Sequence, residues 1–141
     1  MQRIVVAAKP GADQAWLAEA AAQLARQTGG ATVEVVSADG IDMEAFSTVP
    51  RSALAEETSD AADKLAEQVR AQGVEAAAHS LQGPVVRSIL LFAEERDADL
   101  IVVGGSTRGR VAQRLLGTVP VELIRRSRRP VLVITPPAGR S

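Results

Sequence analysis

Short apolar runs rich in valine and isoleucine alternate along this chain with longer segments whose apolar residues recur every three to four positions. Ile4-Val5-Val6-Ala7-Ala8 reads as a first strand, broken by Lys9-Pro10-Gly11. Asp13 is then placed to cap a helix whose stripe is Leu17, Ala20, Ala21 and Leu24, and Gly29-Gly30 ends it. Thr32-Val33-Glu34-Val35-Val36 is the second strand, and residues 38 to about 50 lack a clear period and read as a surface connection. Its apolar members Ile41, Met43 and Phe46 either fold over a cleft or pack down. A second helix is expected from about Ser52 to Gln72, with Leu65 and Val69 four apart and Gly73 as its stop, and Val74 to Leu81 is the third strand. Pro84 starts a third helix that places Val86, Ile89, Leu90 and Ala93 on one face. Asp97-Ala98-Asp99 leads into a fourth strand ending in Ile101-Val102-Val103. A last helix, roughly Thr118 to Ser127, delivers the chain to a fifth strand, Pro130-Val131-Leu132-Val133-Ile134. This alternation predicts an α/β fold with a parallel sheet and helices on both faces.

The 141 residues fit a single domain, 1–141, with residues 137–141 as a flexible tail. With no cysteine, a disulfide scaffold and thiolate chemistry are excluded, and with one histidine, His79, most zinc and triad chemistry goes as well. A net charge of −1 gives no electrostatic reason to expect nucleic acid as a partner. The N-terminal apolar run turns polar by Lys9, too soon for a signal-peptide core, and nothing approaches the roughly 20 apolar residues of a membrane span. The expectation is a cytoplasmic protein.

The chemistry concentrates after the fourth strand. Gly104-Gly105-Ser106-Thr107 opens a loop of small residues, and Gly117-Thr118 stands at the next helix start, where backbone N–H groups and the helix dipole favour an anion. Thr118 is the expected cap of that helix. In an open parallel sheet ligands bind beyond the carboxyl ends of strands where strand order reverses. If the first and fourth strands are neighbours there, Ala8-Lys9 and Gly104-Gly105 face one crevice.

The segment Ile101 to Ile134, IVVGGSTRGRVAQRLLGTVPVELIRRSRRPVLVI, resembles the C-terminal half of universal stress proteins, and the whole chain follows their order of elements. The resemblance implies an open, Rossmann-like five-stranded parallel sheet of order 3-2-1-4-5. It also implies an adenine-nucleotide site, with ATP and Mg as the expected ligand. In nucleotide-binding members the motif is Gly-x2-Gly-x9-Gly-Ser/Thr; this chain reads Gly104-x2-Thr107-x9-Gly117-Thr118. The resemblance assigns Gly104, Ser106, Thr107, Gly117, Thr118 and Val119 to phosphate and ribose, Val35 to the base through its backbone, and Ala7, Ala8 and Lys9 to base and ribose.

Two positions depart from the pattern. Thr107 replaces the second motif glycine, where a β-branched residue is penalised by roughly 1–2 kcal/mol if the backbone is left-handed, although its hydroxyl can donate to a phosphate. Lys9 stands where nucleotide-binding members usually carry an aspartate; a carboxylate accepts from ribose hydroxyls, whereas an ammonium only donates. Lys9 either attracts a phosphate or is a solvated turn residue. Three functions follow: a nucleotide-binding or sensing module of stress response, a dimeric interaction module of the same fold without nucleotide, and a slow ATPase. The last is disfavoured because no P-loop and no obvious base is present. A phosphoacceptor receiver domain would want acids after the first strand and an aspartate after the third, and has neither. The family frequently dimerises through its last strand, so the apolar edge Val131-Leu132-Val133-Ile134 is the expected homodimer contact.

Other features have plainer readings. Arg125, Arg126, Arg128 and Arg129 suit the negative end of the last helix better than nucleic acid, since aromatic stacking partners are nearly absent. Arg108, Arg110 and Arg114 contact a polyphosphate or are solvated surface. His79 and Trp16 read as packing residues, and Asp97 and Asp99 as a turn or cap.

Overall fold

The computed structural model describes residues 1–40, 51–105 and 117–137, the side chains of 51–55 excepted. Five strands and four helices alternate: β1 (Arg3–Ala7), α1 (Ala15–Gln27), β2 (Thr32–Ala38), α2 (Arg51–Arg70), β3 (Ala76–Leu81), α3 (Val85–Glu95), β4 (Leu100–Gly104), α4 (Thr118–Arg126) and β5 (Val131–Ile134). All neighbouring strands are parallel, in the order β3-β2-β1-β4-β5. The chain winds outward from β1 to β3, then crosses to β4 and winds the other way, so strand order reverses between β1 and β4.

Two apolar layers hold the sheet. Ile4, Val6, Val33, Val35 and Val102 point to the face covered by Leu17, Ala21 and Ala25 of α1 and by Leu65, Ala66 and Val69 of α2. Val5, Val36, Ile101 and Val103 point to the opposite face, under Ile89, Phe92 and Ala93 of α3 and Leu123 of α4. Successive strand residues thus serve opposite faces, and both faces are apolar because both are covered, which is why the central strands read as unbroken apolar runs.

The helix ends refine the sequence reading. Gln14, not Asp13, is the residue at the α1 cap, where its carbonyl accepts from Leu17 and Ala18 N–H, while Asp13 Oδ1 accepts only from Ala15 N–H at 3.3 Å. Gly117, not Thr118, precedes α4; its φ of +88° belongs to the region open to glycine, and Thr118 is already helical. Gly29, Gly30 and Gly73 all take positive φ at the ends of α1 and α2, as expected of helix stops. β3 begins at Ala76, two residues later than Val74.

His79 lies 3.4 Å from Glu34 Oε1, and its ring is 4.8 Å from that of Phe92, so it is held between β2 and α3. Asp97 turns the chain at φ +54°, and Asp99 ties the start of β1 to the start of β4 by accepting from the N–H groups of Gln2 (2.7 Å) and Arg3 (3.0 Å). Those two backbone donors hold the Asp99 carboxyl below its ordinary value. A depressed carboxyl stabilises the folded state above the unfolded-state value, and that contribution is lost as pH falls through the folded one. Asp99→Asn is therefore expected to melt lower than the parent at neutral pH, with the gap closing on acidification. Thermal melts across an acid-to-neutral pH series check this; a gap that stays constant refutes it.

Ile41, Met43 and Phe46 of the connection after β2, the expected site residues Ser106 and Thr107, the arginines Arg108, Arg110 and Arg114, and tail residues 138–141 lie outside the described residues.

Candidate functional site at the strand-order reversal

β1 ends at Ala7, and the next peptide still pairs: Ala8 N–H donates to Val36 O at 2.8 Å. The chain then leaves the sheet at Lys9, which is exposed, while β4 ends alongside at Gly104 and Gly105. Gly105 N–H donates to Ile134 O at 2.8 Å, which fixes that end of β4 to β5. Ala8-Lys9 and Gly104-Gly105 thus stand on either side of the reversal, as expected.

A residue with no motif signature organises this junction. Gln14, only 9% exposed, reaches back from the start of α1, and its Oε1 accepts from Lys9 N–H at 2.9 Å. Its Nε2 lies against Gly104: a Cβ built there would stand 2.9 Å from Gln14 Nε2 and 2.7 Å from Trp16 Cη2. One amide side chain therefore bridges the end of β1 and the end of β4, and Trp16 packs beside it. Gly104 is small for an internal reason, since its missing side chain is the space into which α1 packs. Between the end of β1, α1 and α2 a cavity of about 10 Å³ remains, lined by Ala8, Lys9, Gln14 and Lys64 among others. That is room for about one water.

The next element after β4 is α4, and Gly117 turns the chain into it. Among the first helical residues Pro120 has no N–H, and Val121 N–H returns to Gly117 O at 3.5 Å. The N–H groups left without a helical partner are those of Thr118 and Val119. Thr118 is exposed, Val119 is half-buried against the α3/α4 layer, and no acidic side chain occupies this first turn. The arrangement can receive an anion through two backbone donors and one hydroxyl.

The fourth side of the crevice is β2, which runs past the end of β1. Within a strand, the N–H and C=O of one residue point to one neighbour and those of the next residue to the other. Val33 N–H donates to Glu75 O and Asp39 N–H to Leu81 O, so the odd residues of β2, Val35 among them, turn their peptide groups to β3. Val36 faces β1, and by the same alternation so does Ala38. The last bond to β1 is at Val36, which leaves the peptide groups of Ala38 directed over the crevice beyond Ala8. Periodicity alone did not reveal Ala38, because its significance depends on where a neighbouring strand stops.

Among the described residues no group of three or more His, Asp or Glu is placed to hold a metal ion, and no helix is long and apolar enough to cross a membrane.

Comparison with known proteins agrees with the fold. A sequence model of the Universal stress protein family matches residues 1–135. The chain belongs to the universal stress protein family. The universal stress protein MJ0531 of Methanocaldococcus jannaschii is 34% identical over 84 residues, 60% of this chain. The match spans about half, 49%, of that relative's length. A universal stress protein from Archaeoglobus fulgidus, solved in complex with dAMP, superposes with a TM-score of 0.72 at 26% identity, covering 95% of this chain and 98% of the other. A further universal stress protein, solved in complex with cAMP, gives a TM-score of 0.66 at 27% identity, covering 95% and 96%.

Proposed function

We propose that this member of the family is an adenine-nucleotide-binding module that senses or signals in a stress response, with ATP and its Mg ion as the ligand. The observation that carries the reading is the start of α4, where Gly117 at φ +88° leads into a first turn that presents the N–H groups of Thr118 and Val119 and holds no acidic residue. Phosphate sits there, and the family motif assigns Ser106 and Thr107 to it as well. The base lies against β2 where Ala38 turns its peptide groups past the end of β1, and Ala7, Ala8 and Lys9 border base and ribose. The adenine nucleotides bound by two relatives of 26–27% identity support this reading. Binding is preferred to turnover because Lys9, an ammonium, is no general base in its charged form.

Isothermal titration of nucleotide-stripped protein with ATP and Mg tests the proposal. Saturable heat with one site per chain is expected; no heat at millimolar nucleotide overturns it and leaves an interaction module of the same fold.

The module acts in the cytoplasm as a homodimer. β5 is an edge strand of the sheet, and Leu132 within it is 39% exposed, so pairing Val131–Ile134 with a second copy covers an unpaired apolar edge. Light scattering is expected to report a dimer; a monomer at high concentration contradicts the edge pairing.

A further inference from the structure

The arginines around the end of α4 divide into two sets. Arg125 is paired with Glu122 on its own helix at 3.3 Å. Arg129 is committed to structure: it contacts Glu94 at 3.3 Å and Asp97 at 3.0 Å and donates to Ala98 O at 2.6 Å, joining the end of α3 to the start of β5. Complementing the helix dipole and clamping α3 account for those two. Arg126 and Arg128, together with Arg87 on α3, make no hydrogen bond or ion pair with any described residue, and all three are exposed. They converge on one groove of about 260 Å³ between α3 and the end of α4, whose other lining residues are Leu90, Leu91 and Glu94.

Arg87, Leu90, Leu91 and Glu94 lie at positions i, i+3, i+4 and i+7 of α3 and so form one stripe. Leu91 is 53% exposed, which leaves an apolar floor open. Glu94, the acid of the lining, is paired with Arg129, which also pairs with Asp97. The groove therefore combines an apolar floor with three arginines against one carboxylate that is already paired.

We propose that this groove is a docking site for an acidic peptide segment of a partner protein, with a leucine-like side chain between carboxylates. From Arg87 to Glu94 the stripe runs about 10 Å at 1.5 Å per residue, the reach of about three residues of extended chain. Its volume falls below the roughly 300–1,000 Å³ of small-molecule sites. Among the described residues no aromatic ring lines it on which a nucleobase would stack. The central side chain rests on Leu90 and Leu91, and the flanking carboxylates meet Arg87 at one end and Arg126 and Arg128 at the other. The groove lies at the end of α4, at Arg126 and Arg128, whereas the phosphate assignment uses Thr118 and Val119 at its start, so the proposal does not rest on nucleotide binding.

The test is fluorescence anisotropy with a labelled peptide carrying one central leucine flanked by glutamates, at low ionic strength. Saturable binding is expected, weakened about tenfold by the pair R126E/R128E and again by R87E. Replacing the peptide leucine with serine is expected to cost about tenfold as well. Far-ultraviolet circular dichroism confirms that these surface variants stay folded. Affinity unchanged in the arginine variants overturns the site, and equal affinity for the serine peptide overturns the role of Leu90 and Leu91. Arginine-dependent binding to phosphatidylserine vesicles or duplex DNA, without binding to the leucine peptide, overturns the class of partner. Self-association abolished by R126E/R128E, again without peptide binding, makes the occupant a second copy and overturns it too.

Discussion

Replacing Gly104 with alanine is expected to cost about 1–3 kcal/mol of folding stability, the range for forcing a methyl into a packed interior. The backbone of Gly104 is not left-handed, so the cost is steric: the new Cβ would stand 2.7 Å from Trp16 and 2.9 Å from Gln14. Neither neighbour is a free-ended chain in solvent. Trp16 is a rigid ring packed against the α1/α2 layer, and Gln14 is 9% exposed and anchored to Lys9 N–H. Trp16 is also the single tryptophan of the chain, so urea unfolding followed by its fluorescence reads the perturbed contact directly. A double-mutant cycle decides the cause. In a Trp16→Leu background, where unfolding is followed by far-ultraviolet circular dichroism because no tryptophan or tyrosine then remains, Gly104→Ala is expected to cost at least about 1 kcal/mol less, because the clashing ring atom is gone. Additive losses would mean that the clash lies elsewhere, and a single-variant loss under about 0.5 kcal/mol would mean that α1 gives way freely.

That contact also separates what was legible in the chain from what was not. The strands could be read because a sheet covered on both faces needs apolar residues at every position, as in Ile4–Ala7 and Leu100–Val103. Helix stops could be read because Gly29, Gly30 and Gly73 adopt φ values costly to other residues. Strand order came from resemblance to a family, since several windings satisfy the same pattern of elements. The local geometry of the crevice was illegible for two reasons. Gln14 acts through contacts that the fold creates with Lys9 and Gly104, and an isolated glutamine at a helix entry carries no signal of them. Ala38 matters because β1 stops pairing at Val36 while β2 continues, and the stopping point belongs to another strand. Likewise His79 found its carboxylate, Glu34, 45 residues away on the adjoining strand. Side chains whose roles depend on a tertiary neighbour leave no periodic trace.

Lys9→Asp is the sharpest test of the site, because residue 9 is held by its backbone and its exposed side chain is free to change. Gln14 binds the N–H of residue 9, an interaction that Lys9→Asp keeps. The substitution exchanges a donor-only ammonium for a carboxylate that accepts from both ribose hydroxyls, each such charge-assisted bond contributing about 1.5–3 kcal/mol before desolvation. It also removes the attraction between Lys9 and phosphate. The net expectation is ATP binding tighter by about tenfold, roughly 1.4 kcal/mol, measured by calorimetry against the parent. The gain is expected to shrink for dATP, which lacks one of the two hydroxyls. Thr107→Gly restores the second motif glycine and is expected to strengthen binding independently. If Lys9→Asp weakens ATP instead, and weakens dATP equally, the ammonium is itself a phosphate ligand. The nucleotide is then held by charge at the end of β1, and the departure at Lys9 is a different mode of recognition within the same crevice.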